Sequence, residues 1–296
     1  MRMRLLSLVL GGALFAGPAL ADQKIRVGIS GGDAEVVWSK VKEIAANDGL
    51  DIIVVVFNDY LLPNAALDAG DLDANAFQHK PFLDNQIKTR GYRNTAVADT
   101  IVAPIGLYSR KVKSLGEIKD GASIGIPNDP SNGGRALLLL QAQKLIKLKD
   151  GVGVLPTVLD VIDNPKKLQF REIDAAQLPR SLDDLDAAVI NTNYAVAVDL
   201  IPGRDSIAIE SSINNLYNNF IAVRERDKDA AWVTKLVHAY QNDSIRQLIK
   251  ESCRASFLPS ERPIERPITD VGHSAPQSEE LCDAASMVPP RAAAKR

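Results

Sequence analysis

Residues 24–57 carry the pattern that most constrains the fold. Lys24–Ser30 (KIRVGIS) alternates apolar and polar residues, as a half-buried strand does. Gly31-Gly32 supplies a turn, and Asp33 stands where a helix cap belongs, ahead of a helical stretch that Asn47-Asp48-Gly49 ends. Asp51–Phe57 (DIIVVVF) is a β-branched run, which reads as a buried strand. Strand, helix and buried strand make a βαβ unit, and that unit commits the chain to an α/β fold with a parallel sheet.

The pattern continues and then restarts. Leu62–Ala69 reads as a short helix, Leu72–Ala76 as a short apolar segment, Phe82–Lys88 as helix, and Ala96–Tyr108 as a strand pair or crossover. Ser123–Ile126 is a new strand, and Pro127-Asn128-Asp129-Pro130-Ser131-Asn132-Gly133-Gly134 is a dense cluster of turn formers. Arg135–Leu148 reads as a helix apolar nearly all round, hence buried. Leu168–Ile173 and Ala187–Ile190 read as strands, with a Pro-broken helix in Asp174–Asp186 between them. Asp205–Glu210 and Phe220–Val223 follow as strands, then a long amphipathic helix over Lys228–Asp243 and a shorter one over Ile245–Lys250. Two α/β segments in one chain predict two α/β lobes. From about Pro259 the chain turns polar and Pro-rich, and an irregular tail is expected.

The first 21 residues stand apart. Met1-Arg2-Met3-Arg4 is basic, Leu5–Gly17 is an apolar run, and Ala19-Leu20-Ala21 is a small-x-small site ahead of Asp22. This is the layout of a secretory signal peptide, and the run falls short of the about 20 residues a bilayer span needs. No Cys sits near the cut, so no lipid anchor is expected and the protein is expected to be periplasmic. Lys plus Arg number 35 against 37 Asp plus Glu, a net charge of −2, which lacks the basic excess a nucleic-acid partner wants. Cys253 and Cys282 read either as a disulfide in an oxidising compartment or as two thiols in a loose tail.

Three places could carry chemistry. Gly28-Ile29-Ser30-Gly31-Gly32 matches the G-x-S-x-G elbow between a strand and a helix, which raises a secreted hydrolase with Ser30 as nucleophile. Its triad wants a later His on a loop. His238 falls inside an amphipathic helix, His273 falls in the tail, and there is no His-Gly-Gly-Gly stretch, so a Gly-rich βα turn is the better reading. The histidines are too scattered for a metal, and no phosphate-binding loop or dinucleotide fingerprint is present, so no cofactor is expected. The second place is Asp71–Leu83 (DLDANAFQHKPFL), where aromatics and His79 gather at a strand-to-helix junction, the position at which open α/β sheets bind ligands. Ordinary core roles for Phe77 and Phe82 are the alternative. The third is Pro127–Arg135, where a helix N-terminus and Arg135 together suit a carboxylate. There the alternative is a capped helix with Arg135 in a structural ion pair.

Long stretches resemble the NlpA / methionine-binding family of ABC-transporter substrate-binding proteins. They are FNDYLLPNAAL (57–67), GDLDANAFQHKPFLD (70–84), IPNDPSNGGRALLLLQ (126–141), LIKLKDGVGVLPTVLDVIDNPKKLQF (145–170), QLPRSLDD (177–184), INTNYA (190–195) and VRERDKD (223–229), within about 24–250. The resemblance implies a two-lobed periplasmic-binding-protein fold with the ligand in the cleft. The chain is accordingly read as lobes of 22–107 plus 209–258 and of 108–208, with 259–296 as a Pro-rich tail that has no family counterpart. The resemblance implies that Arg135 pairs with a ligand carboxylate, that Asn191 and Asn219 bond the ligand's backbone polar groups, and that Tyr60, Phe77, His79 and Phe82 line a side-chain pocket. The expected function is binding without chemistry: a monomer that captures methionine and delivers it to an inner-membrane ABC permease and its ATPase. Position 82 is Phe where the family commonly has Tyr, which keeps another apolar amino acid or a short peptide as the alternative ligand. The stretch Ser211–Tyr217 also departs from the family pattern, and no lipid-bearing Cys is present.

Overall fold

The computed structural model describes residues 23–213, 215–252 and 257–259. The expected signal peptide, the tail beyond 260 and both cysteines lie outside the described residues.

The opening unit forms as its pattern dictates. β1 (Gln23–Ser30) and β2 (Leu50–Phe57) pair in parallel through α1 (Asp33–Asn47). α1 buries Val37, Trp38, Val41 and Ala45, one stripe at helical spacing, on Ile25, Val27 and Ile29. After α2 (Leu62–Ala69) comes β3 (Ala74–His79), buried at every residue and parallel to β1. The apolar segment read at 72–76 therefore runs on through Phe77-Gln78-His79. His79 caps α3 (Lys80–Arg90), with its ring Nδ1 accepting from the Phe82 N–H at 3.3 Å. β4 (Asn94–Val102) follows.

The chain then leaves the first sheet. β5 (Gly106–Tyr108) and β6 (Ser123–Pro127) belong to a second one. α4 spans Pro130–Ala142, not the Arg135–Leu148 read from the sequence. The turn formers are its first turn: Asp129 accepts from the Asn132 N–H at 2.9 Å, and Pro130 sits where a missing N–H costs nothing. Lys144 at φ 59 stops the helix, so Lys147–Leu148 (β7) instead pairs with Val161–Asp163 (β8). β9 (Gln169–Ile173), α5 (Leu178–Ser181), β10 (Ala187–Ile190), α6 (Thr192–Val196), α7 (Pro202–Asp205) and β11 (Ser206–Ile209) complete this part. The chain returns through β12 (Asn218–Arg224), α8 (Ala231–Tyr240), α9 (Asp243–Ser252) and β13 (Leu258–Pro259). The long helix read over 228–243 is thus shorter, with α9 as a separate element.

Two mixed sheets result, one of six strands ordered β13-β4-β12-β3-β1-β2 and one of five ordered β11-β5-β10-β6-β9. Helices cover both faces of each. In the first sheet α1, α8 and α9 close one apolar layer, and Leu67, Leu83 and Phe220 another. In the second sheet α4 packs over one side, while Leu178, Leu182 and Leu185 pack over the other. Sheet membership changes at 103–105 and again after β11, a few residues from the 107/108 and 208/209 breaks expected from the sequence. The two crossings touch: the Glu210 N–H donates to the Ile105 carbonyl at 3.0 Å.

The paired glycines of α4 serve close approach rather than a turn. A Cβ on Gly134 would stand 3.0 Å from Leu155 Cα, 3.0 Å from the Val154 carbonyl oxygen and 2.9 Å from Pro156 Cδ. Gly203 in α7 has nothing within 4 Å of such a Cβ. Gly134→Ala is therefore expected to cost about 1–3 kcal/mol in urea unfolding. Gly203→Ala should stay within about 0.5 kcal/mol of the parent. Equal costs for both would refute the close-approach reading.

Candidate functional site

The carboxyl ends of the parallel strands in both sheets open on one cavity. Ser30, Tyr60, Phe77 and His79, at or just beyond the ends of β1, β2 and β3, line it from the first sheet. Asn132, Arg135, Asn191, Thr192 and Asn193 follow the ends of β6 and β10 and line it from the second. Asn219 joins at the start of β12, in register with His79. Such strand ends are where open α/β sheets hold ligands. The structure brings together all of the residues named from the sequence: Tyr60, Phe77, His79, Phe82, Arg135, Asn191 and Asn219.

One wall is aromatic. Tyr60, Phe77 and Phe82 touch in a ring of contacts, with centroids 6.1 Å (Tyr60–Phe77), 6.1 Å (Tyr60–Phe82) and 5.8 Å (Phe77–Phe82) apart. The pairs involving Phe82 are edge-on, a favourable arrangement for ring quadrupoles. Tyr60 also donates its hydroxyl to Asn193 Oδ1, and the Tyr194 hydroxyl donates to the Asn58 carbonyl at 3.2 Å. These bonds tie the residues after β2 to those after β10. Behind the wall, Asn64, Asn75 and Gln78 form a buried amide cluster, with Asn64 and Gln78 bonded in both directions at 2.7 Å. That cluster fixes α2, and the Tyr60 loop ahead of it, against β3.

The opposite end is polar and centres on Arg135, whose side chain is 3% exposed. Nε donates to Glu210 Oε1 at 3.0 Å, and Nη2 donates to Glu210 Oε2 and, at 2.9 Å, to the Ala103 carbonyl. The guanidinium carbon lies 4.3 Å from the centroid of the Tyr217 ring. The structural ion pair held open as the alternative for Arg135 is therefore present, with Glu210 on one edge of the guanidinium. Among the described residues nothing accepts from Nη1. Asn191 donates Nδ2 to Asn132 Oδ1 at 2.8 Å, and its own Oδ1 is buried without a partner among the described residues. A buried acceptor in that condition costs roughly 1–3 kcal/mol until something donates to it.

His79 is neutral here. Burial, and after it the charge of Arg135, bring its imidazole down to about 3. Both ring nitrogens are engaged, Nε2 with Asn132 Oδ1 at 3.2 Å and Nδ1 with the Phe82 N–H. His79 therefore offers no free base to Ser30, although both line the cavity. His238 lies exposed on α8, and His273 is outside the described residues. The motif's glycine has a packing role: a Cβ on Gly28 would meet Leu72 Cδ1 at 2.5 Å. Among the described residues no His/Cys/Asp/Glu group could hold a metal ion, and no helix is long and apolar enough to cross a membrane.

Sequence reasoning missed Asn132, Asn193, Glu210 and Tyr217. Asn132 lay inside a stretch read as turn. Tyr217 stands two residues before Asn219 in a chain with only 5% aromatics, which was the available signal. For Glu210, 75 residues from Arg135, the sequence holds no signal.

Fold and site together define a two-lobed α/β binding protein with its cavity between the lobes. The comparisons with known proteins agree. The profile of the NlpA lipoprotein family matches residues 25–260, and the chain belongs to that family. The D-methionine-binding lipoprotein MetQ of Escherichia coli K12 is 52% identical over 245 residues, covering 79% of this chain and 90% of that protein. A nutrient-binding protein from Burkholderia cenocepacia bound to methionine is 53% identical with a TM-score of 0.78, covering 80% of this chain and 99% of that one. An ABC-transporter periplasmic substrate-binding protein from Coxiella burnetii is 43% identical with a TM-score of 0.76, covering 80% and 100%. The relatives named lipoproteins stand against the expectation that this protein lacks a lipid anchor.

The state of His79 has a measurable consequence. An unfolded chain protonates its imidazole near 6.5, whereas the folded chain does so only near 3. Between those values the unfolded state binds more protons, so His79 makes stability rise with pH across the window and fall as pH drops below 6.5. His79→Gln is expected to flatten the slope of unfolding free energy by up to about 1.4 kcal/mol per pH unit in that window. Urea titrations at several acidic pH values check this, and unchanged slopes would contradict a buried neutral imidazole.

Proposed function

We propose that this chain is the exported solute-binding component of an ABC importer and that its ligand is methionine. The observation that carries the reading is the cavity's division into an aromatic wall and a polar end with unspent capacity. Tyr60, Phe77 and Phe82 suit a thioether, whose contacts with rings contribute about 0.3–1.5 kcal/mol each. At the polar end, Arg135 Nη1 faces the ligand carboxylate and Asn191 Oδ1 faces its ammonium, with Asn219 as a further partner. A buried zwitterion needs such groups on every charge. The methionine-bound Burkholderia protein and the MetQ relative support the same ligand. No reaction is performed on it.

The two crossings at 103–105 and 210 act as the hinge of this reading, with β1–β4, β12 and β13 in one lobe and β5–β11 in the other. Contacts reach the cavity from both, so a bound ligand favours the closed arrangement, and closure presents the protein to the permease.

Calorimetry of the refolded, ligand-stripped protein with L- and D-methionine tests the proposal. One-to-one binding is expected. Arg135→Ala combined with Glu210→Gln, so that no carboxylate is left unpaired, should weaken it by at least about tenfold. Absence of binding by either stereoisomer, with binding of another amino acid or a short peptide, would keep the receptor and discard methionine.

A further inference from the structure

Asparagine amides can sit either way round, and only their partners fix which end is oxygen. One residue settles this for the polar end of the cavity. Asp129, at the start of α4, carries a carboxylate, which only accepts. Its Oδ1 takes the Ser131 hydroxyl at 2.8 Å and the Asn132 N–H at 2.9 Å, and its Oδ2 takes Asn132 Nδ2 at 2.9 Å. The amide nitrogen of Asn132 is thereby pinned to Asp129, and its oxygen must point the other way.

That oxygen meets two further groups, Asn191 at 2.8 Å and His79 at 3.2 Å. Since Asn132 Oδ1 can only accept, both must donate. Asn191 gives its Nδ2 and is left with Oδ1 buried and unpartnered among the described residues. His79 gives Nε2–H, which leaves Nδ1 as the acceptor that the Phe82 N–H requires. A single carboxylate thus dictates the donor and acceptor ends of Asn132 and Asn191, and it supplies the acceptor for the Nε2–H that the Phe82 N–H already fixes on His79.

We propose that Asp129 is the positioning residue of this site, setting through Asn132 the acceptor that the His79 Nε2–H meets and the outward carbonyl of Asn191 that receives the ligand's ammonium. The ammonium half rests on the amino-acid reading given above, whereas the His79 half stands without any ligand. Replacing Asp129 by Asn separates positioning from folding. Asn caps a helix about as well as Asp. The Asn132 backbone N–H is fixed, so the new amide oxygen stays on it. Its NH₂ then faces the Asn132 Nδ2, donor against donor, and the Asn132 amide turns over to present its oxygen. The relay inverts: Asn132 Nδ2 points at Asn191 and His79, and Asn191 turns its NH₂ toward the ammonium.

The experiment compares the parent, Asp129→Asn and Asn132→Ala. Nitrogen-15 shifts of His79 are read in the ligand-free proteins, with the resonance assigned by its loss in His79→Gln. Calorimetry then uses methionine and its des-amino analogue, which lacks the ammonium. All should show the Nε2–H tautomer that the Phe82 N–H imposes, and Asp129→Asn should move the Nε2–H resonance as that group loses its Asn132 acceptor. Methionine affinity should fall about tenfold or more in both variants, the range expected for hydrogen bonds to charged groups. The analogue should bind all three alike. An Nδ1–H parent, an unmoved Nε2–H resonance in Asp129→Asn, or equal losses for both ligands would overturn the relay. A parent that ignores methionine while its Nε2–H resonance still moves in the variant would overturn the ligand reading and leave the relay standing. Should Asp129→Asn fail to fold, Asn132→Ala carries the ligand comparison.

Discussion

The geometry of the site hangs on the buried guanidinium of Arg135. It projects from α4 in one lobe and is gripped at both chain crossings, by the Ala103 carbonyl on one and the Glu210 carboxylate on the other. Glu210 in turn accepts from Asn215 Nδ2 at 2.9 Å and, more weakly, from the Ile105 N–H at 3.4 Å. Removing one partner from a buried pair of this kind commonly costs about 3–5 kcal/mol, whereas replacing both by apolar residues is often neutral. The pair is therefore weak evidence for stability and better evidence for position. It holds a cation at the cavity while satisfying all but one of its nitrogens, and it ties that cation to both segments by which the chain passes between the sheets.

The two sheets use one solution twice. In each, parallel strands end at the cavity, and a helix or loop begins there: β3 runs into α3, and β6 into α4. The residues that cap or open those helices, His79 and Asn132, meet across the cleft. Tyr60 with Asn193, and Tyr194 with Asn58, make the same crossing nearer the rim. These contacts need no ligand, so the chain itself joins the two lobes across the cavity. On the proposed reading, a ligand that satisfies Arg135 Nη1 and Asn191 Oδ1 would add to those contacts rather than create them.

Local signals carried most of the fold and part of the site. α1 was legible because its buried stripe recurs at helical spacing, and β2 because its β-branched run is unbroken. α4 was misplaced because Asn, Asp and Gly favour turns and helix starts alike, and only the Asp129 cap and the close approach of the 154–156 segment tell the two apart. The residues lining the cavity came from resemblance over long stretches. Their partners did not, because Glu210 and Asn132 act through contacts 75 and 53 residues away in sequence. For Arg135 the two readings open at the level of sequence, carboxylate grip and structural ion pair, are compatible, since the Glu210 pair occupies Nε and Nη2 and leaves Nη1 over.

Phe82 bears on where selectivity resides. Its ring is buried edge-on against Tyr60, Phe77 and His79. The side-chain end of the cavity is accordingly apolar, and such pockets separate ligands differing by one methylene by only about 1–3 kcal/mol. Sites built on buried hydrogen-bonding groups discriminate far more strongly, because the wrong ligand leaves them unpaired. On the proposed reading those groups, Arg135 Nη1 and Asn191 Oδ1, would address the common amino-acid backbone rather than the side chain. Such an arrangement would select firmly for a free amino acid and more gently among apolar side chains, with thioether-to-ring contact tipping the balance toward sulfur.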